Sequence, residues 1–149
     1  LIYIILLMDI HFNNIKDLPY STIYFKLLSQ LTECPIINSE RYKTIIQNIP
    51  DNHHIFVYQI DNIPIGIITI LIEQKLIHDG KCVGHIEDVV IDKNYNNKGI
   101  GSLMINNTIS FAKENNCYKI LLNCNENIKE FYKKNGLTEK NIAMCKYIY

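Results

Sequence analysis

The stretch Gly84-His85-Ile86-Glu87-Asp88-Val89-Val90-Ile91, continued by Asp92-Lys93-Asn94-Tyr95-Asn96-Asn97-Lys98-Gly99-Ile100-Gly101-Ser102, decides how the chain is read. Its apolar run carries two adjacent carboxylates and passes into an Asn/Gly-rich loop. That loop opens directly onto a helical pattern. Strand, loop and helix N-terminus in this order present backbone N–H groups to an anion such as a phosphate. Adjacent strand residues face opposite sides, so a regular strand would turn Glu87 or Asp88 inward at a high cost. A splayed or bulged strand beside a polar site removes that cost.

Around this stretch the chain is ordinary in bulk. Its 149 residues suffice for one domain with a real core, and 48% hydrophobic with 20% charged residues is a soluble globular composition. Fifteen basic residues balance fifteen acidic ones. No global field therefore draws nucleic acid or membrane, and neither is expected as a partner. Any anionic ligand has to be held by local donors. The five cysteines, Cys34, Cys82, Cys117, Cys124 and Cys145, show no CxxC pair and no Cys/His metal spacing. No disulfide framework and no metal site is expected, and a reduced, cytoplasmic setting is the simplest reading. Asn106-Asn107-Thr108 matches a glycosylation acceptor but falls within a helical pattern, where the match is read as chance. Leu1 to Leu7 are almost wholly apolar, yet far short of the about 20 residues a membrane span needs. Residues 1–8 are read as an apolar upstream extension or an edge strand, in preference to the remnant of a longer signal or anchor segment, and residues 9–149 as one domain.

In chain order, Asp9 to Asn13 suggests a short strand. Asp17 as cap and Pro19 in the first turn then begin a helix running to about Thr32. Asn38-Ser39-Glu40 starts a second helix that Pro50 closes. His54 to Ile60 and Ile63 to Ile72 read as a hairpin around Asp61-Asn62, with Gly66 as a candidate bulge. Val83 to Ile91 is a third long strand and Gly99 to Asn115 an amphipathic helix. Tyr118 to Cys124 reads as a buried strand, Asn125 to Asn135 as a short helix stopped by Gly136, and Ile142 to Tyr149 as a final alternating strand. The order predicts a mixed α/β fold, one sheet with helices on both faces.

Several separate motifs carry a resemblance. Leu31-Thr32-Glu33, Lys75-Leu76-Ile77-His78, Gly84 to Val90, Cys117-Tyr118-Lys119-Ile120 and Phe131-Tyr132-Lys133-Lys134-Asn135-Gly136 resemble the GNAT acetyltransferase superfamily, closest to its glucosamine 6-phosphate N-acetyltransferase family. The likeness spans roughly Asp9 to Tyr149. It implies a GNAT fold, a central, mostly antiparallel mixed sheet with one splayed strand. It also implies acetyl-CoA as co-substrate, an amino sugar phosphate as acceptor, and a homodimer.

On that resemblance, Asn96, Asn97, Lys98, Gly99, Ile100, Gly101 and Ser102 would wrap the coenzyme A pyrophosphate, the glycines allowing close backbone approach. The backbones of Val89, Val90 and Ile91 would hold the pantetheine arm and the thioester carbonyl, where an aimed N–H stabilises a developing oxyanion. Asn125 or Asn127 would reach the pantetheine, although capping accounts for Asn125 equally well. Glu87, with Asp88, would meet the acceptor amine and orient or deprotonate it, and Tyr132 would protonate the departing thiolate. Thr32, Lys75, Leu76, Ile77, His78, Val89 and Lys146 would line the sugar-phosphate pocket.

Two positions depart from the family pattern. Asn123 stands where relatives carry an acid, which leaves it a positioning role. Tyr147 stands where they carry a phosphate-binding arginine. These departures keep open an acceptor that is another small or protein amine, and a non-catalytic coenzyme A-binding module as a third reading. Cys124 has no histidine near it in the sequence to activate it, so direct transfer is favoured over a covalent acyl-enzyme.

Overall fold

The structure is a computed structural model that describes residues 9–148; the apolar extension read at residues 1–8 and the last residue, Tyr149, lie outside the described residues. Strand β1 (Ile10–Asn14) is followed by a 3-10 turn over Ile15–Asp17 and by helix α1 (Thr22–Leu28). The cap of α1 is Ser21, whose hydroxyl accepts the Ile23 N–H at 3.2 Å. Asp17, expected to cap this helix, instead closes the 3-10 turn, because the extended Leu18 to Ser21 stretch around Pro19 delays helix entry. Helix α2 (Ser39–Gln47) starts at Asn38, whose side chain accepts the Arg41 N–H at 2.8 Å.

Strands β2 (His53–Ile60) and β3 (Ile63–Gln74) form the expected hairpin. Its two turn residues, Asp61 and Asn62, have φ of 50° and 62°. Positive φ at both positions matches the twist of a two-residue hairpin, and Asp and Asn tolerate it. The bulge expected at Gly66 falls one residue earlier, since Tyr58 pairs with Gly66 and Gln59 with Pro64. Ile65 is the extra residue there.

Strand β4 (Cys82–Ile91) pairs antiparallel with β3, helix α3 (Ile100–Glu114) follows the loop, and β5 (Cys117–Leu121) pairs parallel with β4. The sheet order is β1-β2-β3-β4-β5. Strand β5 stops three residues short of the expected Cys124. A 3-10 turn and helix α4 (Lys129–Lys134) complete the regular elements, with Gly136 at φ 84° just past the helix. The final strand expected over Ile142 to Tyr149 does not form among the described residues. Ile142, Met144 and Ile148 are at least 90% exposed there. Alternation gives a segment two faces, but a strand also needs a neighbouring strand for its backbone groups.

Each sheet face buries its own cluster. Phe56, Tyr58, Ile68, Ile70, Ile72 and Ile86 pack under Ile100, Met104, Ile105 and Ala112 of α3 and Tyr132 of α4. On the opposite face Val57, Ile67 and Val90 pack against Tyr24, Phe25 and Leu27 of α1 and Tyr42 of α2. Full burial of an aliphatic side chain of this size stabilises by about 2 to 3 kcal/mol. The interior therefore holds the sheet rigid where its last two strands part.

Candidate active site

Strands β4 and β5 run together from Cys82/Cys117 to His85/Leu121, and there the ladder ends. Strand β4 continues to Ile91 with no strand on that side among the described residues, so alternate N–H and C=O groups along this edge lack a ladder partner there. Buried backbone groups need partners, and a bound molecule entering the fork can supply them.

At the fork β4 is bulged. Ile67 pairs with Val90 and Thr69 with Glu87, so β4 spends one residue more than β3 over this span. Asp88 has φ 50°, a left-handed backbone that aspartate tolerates better than most side chains. The bulge resolves the conflict raised by two adjacent acids: Glu87 and Asp88 are both exposed, and Ile86 and Val90 on either side are buried. Burial and then the Asp88 charge raise the Cys34 thiol pKa, so the connection from α1 to α2 passes close to that carboxylate. Thr32 lies on the same connection, exposed.

The loop after β4 is built from local caps. Asp92 Oδ1 accepts the Asn94 N–H at 2.8 Å and nucleates the 3-10 turn Lys93–Tyr95. The Lys98 ammonium lies 4.8 Å from the Tyr95 ring centroid. Asn97 (φ 59°) and Gly99 (φ 83°) turn the chain into α3 through two left-handed residues. Gly99 is the N-cap and no side chain caps it. The first-turn N–H groups around Ile100 to Ser102 thus point outward with the positive end of a 15-residue helix, a ready site for a phosphate. A diphosphate fits this set of donors.

On the α3 side of the fork, Tyr132, Asn123 and Cys124 border one cleft of about 680 Å³ that continues along the outer edge of β5. Burial, and secondarily the nearby Cys124, push the Tyr132 phenol above its ordinary pKa, so it is a proton donor near neutral pH. None of the histidines borders this cleft. Asn125 makes no side-chain cap bond, which removes capping as the account of that residue, and Asn127 is exposed.

On the α1/α2 side, Glu87 shares an open cleft of about 420 Å³ with Asn52, Leu71, Glu73, Gln74 and His85. Glu73 Oε2 lies 2.8 Å from His85 Nε2, and Glu73 Oε1 is ion-paired with Lys75. Hydrogen bonds from Lys75 and then His85 hold Glu73 below the usual carboxylate range. Lys75, expected to meet a phosphate, is thus engaged by a carboxylate. Glu73 and His85 escaped the sequence reading. Both fall on the odd-numbered face with Leu71 and Glu87, but seeing them together requires the β3–β4 register.

Leu76, Ile77 and His78 are not brought to Glu87. They sit at the turn Ile77–Gly80 beyond the far end of β4, with Leu76 fully exposed and the His78 ring 4.2 Å from the Tyr118 ring. Five residues of strand, roughly 16 Å, separate Cys82 from Glu87. Lys146 is exposed on the irregular segment after Asn141.

Comparisons with known proteins agree on one family. The acetyltransferase (GNAT) family profile matches residues 23–137. A probable glucosamine 6-phosphate N-acetyltransferase 2 from Oryza sativa subsp. japonica is 31% identical, over 83% of this chain and 79% of its own length. The glucosamine 6-phosphate N-acetyltransferase of Arabidopsis thaliana is 33% identical over 83% of this chain and 87% of that protein. A crystal structure of glucosamine-6-phosphate N-acetyltransferase from Arabidopsis thaliana superposes with a TM-score of 0.84 at 26% identity, covering 95% of this chain and 99% of that one.

Proposed function

The chain belongs to the GNAT acetyltransferase family, and on that basis we propose that it transfers the acetyl group of acetyl-CoA to the amine of D-glucosamine 6-phosphate. The products are N-acetyl-D-glucosamine 6-phosphate and coenzyme A, an amino-sugar step toward UDP-N-acetylglucosamine. The observation that carries this reading is the fork itself. Its bulge turns two carboxylates to the open α1/α2 face, and its other face carries a protonated, buried tyrosine. An ammonium acceptor and a departing thiolate can therefore meet from opposite sides of one sheet.

The residues divide the work. The N–H groups from Asn96 to Ser102 would hold the pyrophosphate, and the free β4 edge at Val89 to Ile91 would hold the pantetheine and polarise the thioester carbonyl. Asn125 and Asn127 would add contacts to the pantetheine. Glu87 and Asp88 would draw in and orient the ammonium, Asn123 would position it, and Tyr132 would give its proton to the sulfur. Thr32 and Lys146 would contact the sugar phosphate, and Lys75 would do so only by leaving Glu73.

The Leu76 to His78 turn lies too far along the sheet to meet Glu87 within one chain, so the acceptor contact that the resemblance implies for it would need the homodimer that the resemblance also implies. The open edge of β5 and the exposed Ile142, Met144 and Ile148 support the same assembly. Residues 9–149 would act as one catalytic domain in the cytoplasm. Among the described residues no helix is long and apolar enough to cross a membrane.

The test is thiol release from acetyl-CoA with and without glucosamine 6-phosphate. Release that needs the sugar phosphate supports the proposal, and release with other amines alone sinks it in favour of a different acceptor. Asn123 and Tyr147, standing where the resembled family carries an acid and an arginine, favour that second reading. Tyr132→Phe is expected to lower kcat about 100-fold with little change in acetyl-CoA affinity, by a thiol assay and calorimetry. Unchanged turnover would remove its role as acid.

A further inference from the structure

We infer that His85, its tautomer fixed by Glu73, accepts the proton that the acceptor ammonium must lose, leaving Glu87 to orient that ammonium. The inference rests on the acetyl-transfer reading above and deepens it. A protonated amine has no lone pair with which to attack a thioester. Some group in the acceptor cleft must take the proton and release it to water.

His85 belongs to the last ladder pair of the fork, opposite Leu121. Glu87 is the next β4 residue on the same face, roughly 7 Å further along the strand. Both border the same open cleft. Glu73 is an ionised carboxylate and can only accept hydrogen bonds, so the His85 Nε2 that stands 2.8 Å away carries the hydrogen. The neutral ring therefore keeps its lone pair on Nδ1, which has no hydrogen-bond partner among the described residues. Imidazole is the side-chain base best matched to neutral pH, and a carboxylate behind it stabilises the imidazolium that forms. With its side chain 34% exposed, His85 can return the proton to solvent.

The charged and titratable groups facing it are few. Glu73 and Lys75 come from β3 and its end, Glu87 from β4, and Lys119 from β5 opposite Val83. Asp88 and Cys34 lie further along the fork. Glu73 supplies the attractive charge, and Lys75 tempers it.

The protons balance. An ammonium N–H bond breaks, its electron pair stays on nitrogen, and the proton bonds to His85 Nδ1. That pair forms the new C–N bond, the C–S bond breaks, and Tyr132 gives its proton to sulfur. The second proton lost by nitrogen restores Tyr132, so one proton leaves per turnover through His85.

The experiment follows kcat/KM of the full chain for glucosamine 6-phosphate from about pH 5.5 to about pH 9, with saturating acetyl-CoA. His85→Gln is expected to lose about 100-fold at neutral pH and to lose the acidic limb of the profile. The KM for acetyl-CoA should stay unchanged, and added imidazole should restore rate saturably. Glu73→Gln, whose amide no longer obliges Nε2 to carry the hydrogen, should lower kcat/KM for the sugar phosphate less than His85→Gln does, with the KM for acetyl-CoA unchanged. Retention of that limb in His85→Gln without rescue by imidazole overturns the inference, whether or not rate is lost, and leaves the pair a structural pin. Absence of wild-type turnover with the sugar phosphate strikes instead at the functional reading, and the inference falls with it.

Discussion

A methyl group on Gly101 would stand 3.0 Å from Phe131 Cζ and 3.1 Å from Ile91 Cδ1. Those contacts lie where the first turn of α3 packs on the end of β4 and on α4. The two glycines of the loop therefore divide the roles that the motif gives them jointly. Gly99 supplies the left-handed turn and the uncapped helix end. Gly101, itself buried, lets the first turn of the helix come close to the fork. Gly101→Ala is expected to cost about 1 to 3 kcal/mol, since the rigid Phe131 ring has to move. It should also weaken acetyl-CoA binding by lifting the donor-facing turn. Urea unfolding checks the first expectation and calorimetry the second. Full stability combined with full affinity would show that Phe131 yields freely.

At the scale of elements, the bulge in β4 separates backbone shape from charge, and two variants separate them experimentally. Asp88→Gly keeps access to φ 50° and removes the carboxylate. It should melt within a few degrees of wild type and raise the KM for the acceptor severalfold. Asp88→Val puts a β-branched side chain in a left-handed backbone and should cost about 1 to 2 kcal/mol as well. Equal melting of the two would mean that the bulge relaxes without strain. This element also shows what could be read before the structure. The cost of an inward carboxylate pointed to a bulge at Glu87-Asp88, and hydrophobic periodicity placed β2, β3, β4, α2 and α3 closely. Register was not legible, because each bulge shifts it by a residue, and so Glu73 and His85 went unseen. The cap of α1 moved from Asp17 to Ser21 since Leu18 to Ser21 stays extended. The Ile142 to Tyr149 alternation could not reveal that its pairing partner is missing from the described sheet.

Across the whole molecule, the buried ring systems set how stability responds to pH. His54 packs between Phe56, 6.0 Å away, and Phe111, 4.7 Å away. Burial and then the electrostatic influence of Lys16 and His53 lower its pKa below the ordinary 6.5, against a smaller opposing pull from Asp51. The unfolded chain therefore binds a proton at His54 before the folded one does. Stability is complete above that ordinary value and declines as pH falls through it toward the folded value. Glu73, held low by Lys75 and His85, adds a further decline at more acid pH, once its folded carboxylate is protonated. At the alkaline end the signs reverse. Tyr42 and Tyr58 are pushed up to about 12 by burial, and Tyr58 keeps this value although its hydroxyl lies toward Asn107. Their hydroxyls have no well-formed hydrogen bond among the described residues. The unfolded chain loses these protons from about pH 10 upward, so stability is intact below that and falls between about pH 10 and about pH 12. Urea midpoints measured across this range should form a plateau with two acid shoulders and one alkaline shoulder. His54→Gln should flatten the first acid shoulder without touching the alkaline one, and Tyr58→Phe should reduce the alkaline one, Tyr42 keeping the rest, without touching the acid shoulders. A profile in which either substitution leaves its own shoulder unchanged would mean that the ring concerned is solvated, and the packing of that sheet face would have to be redrawn.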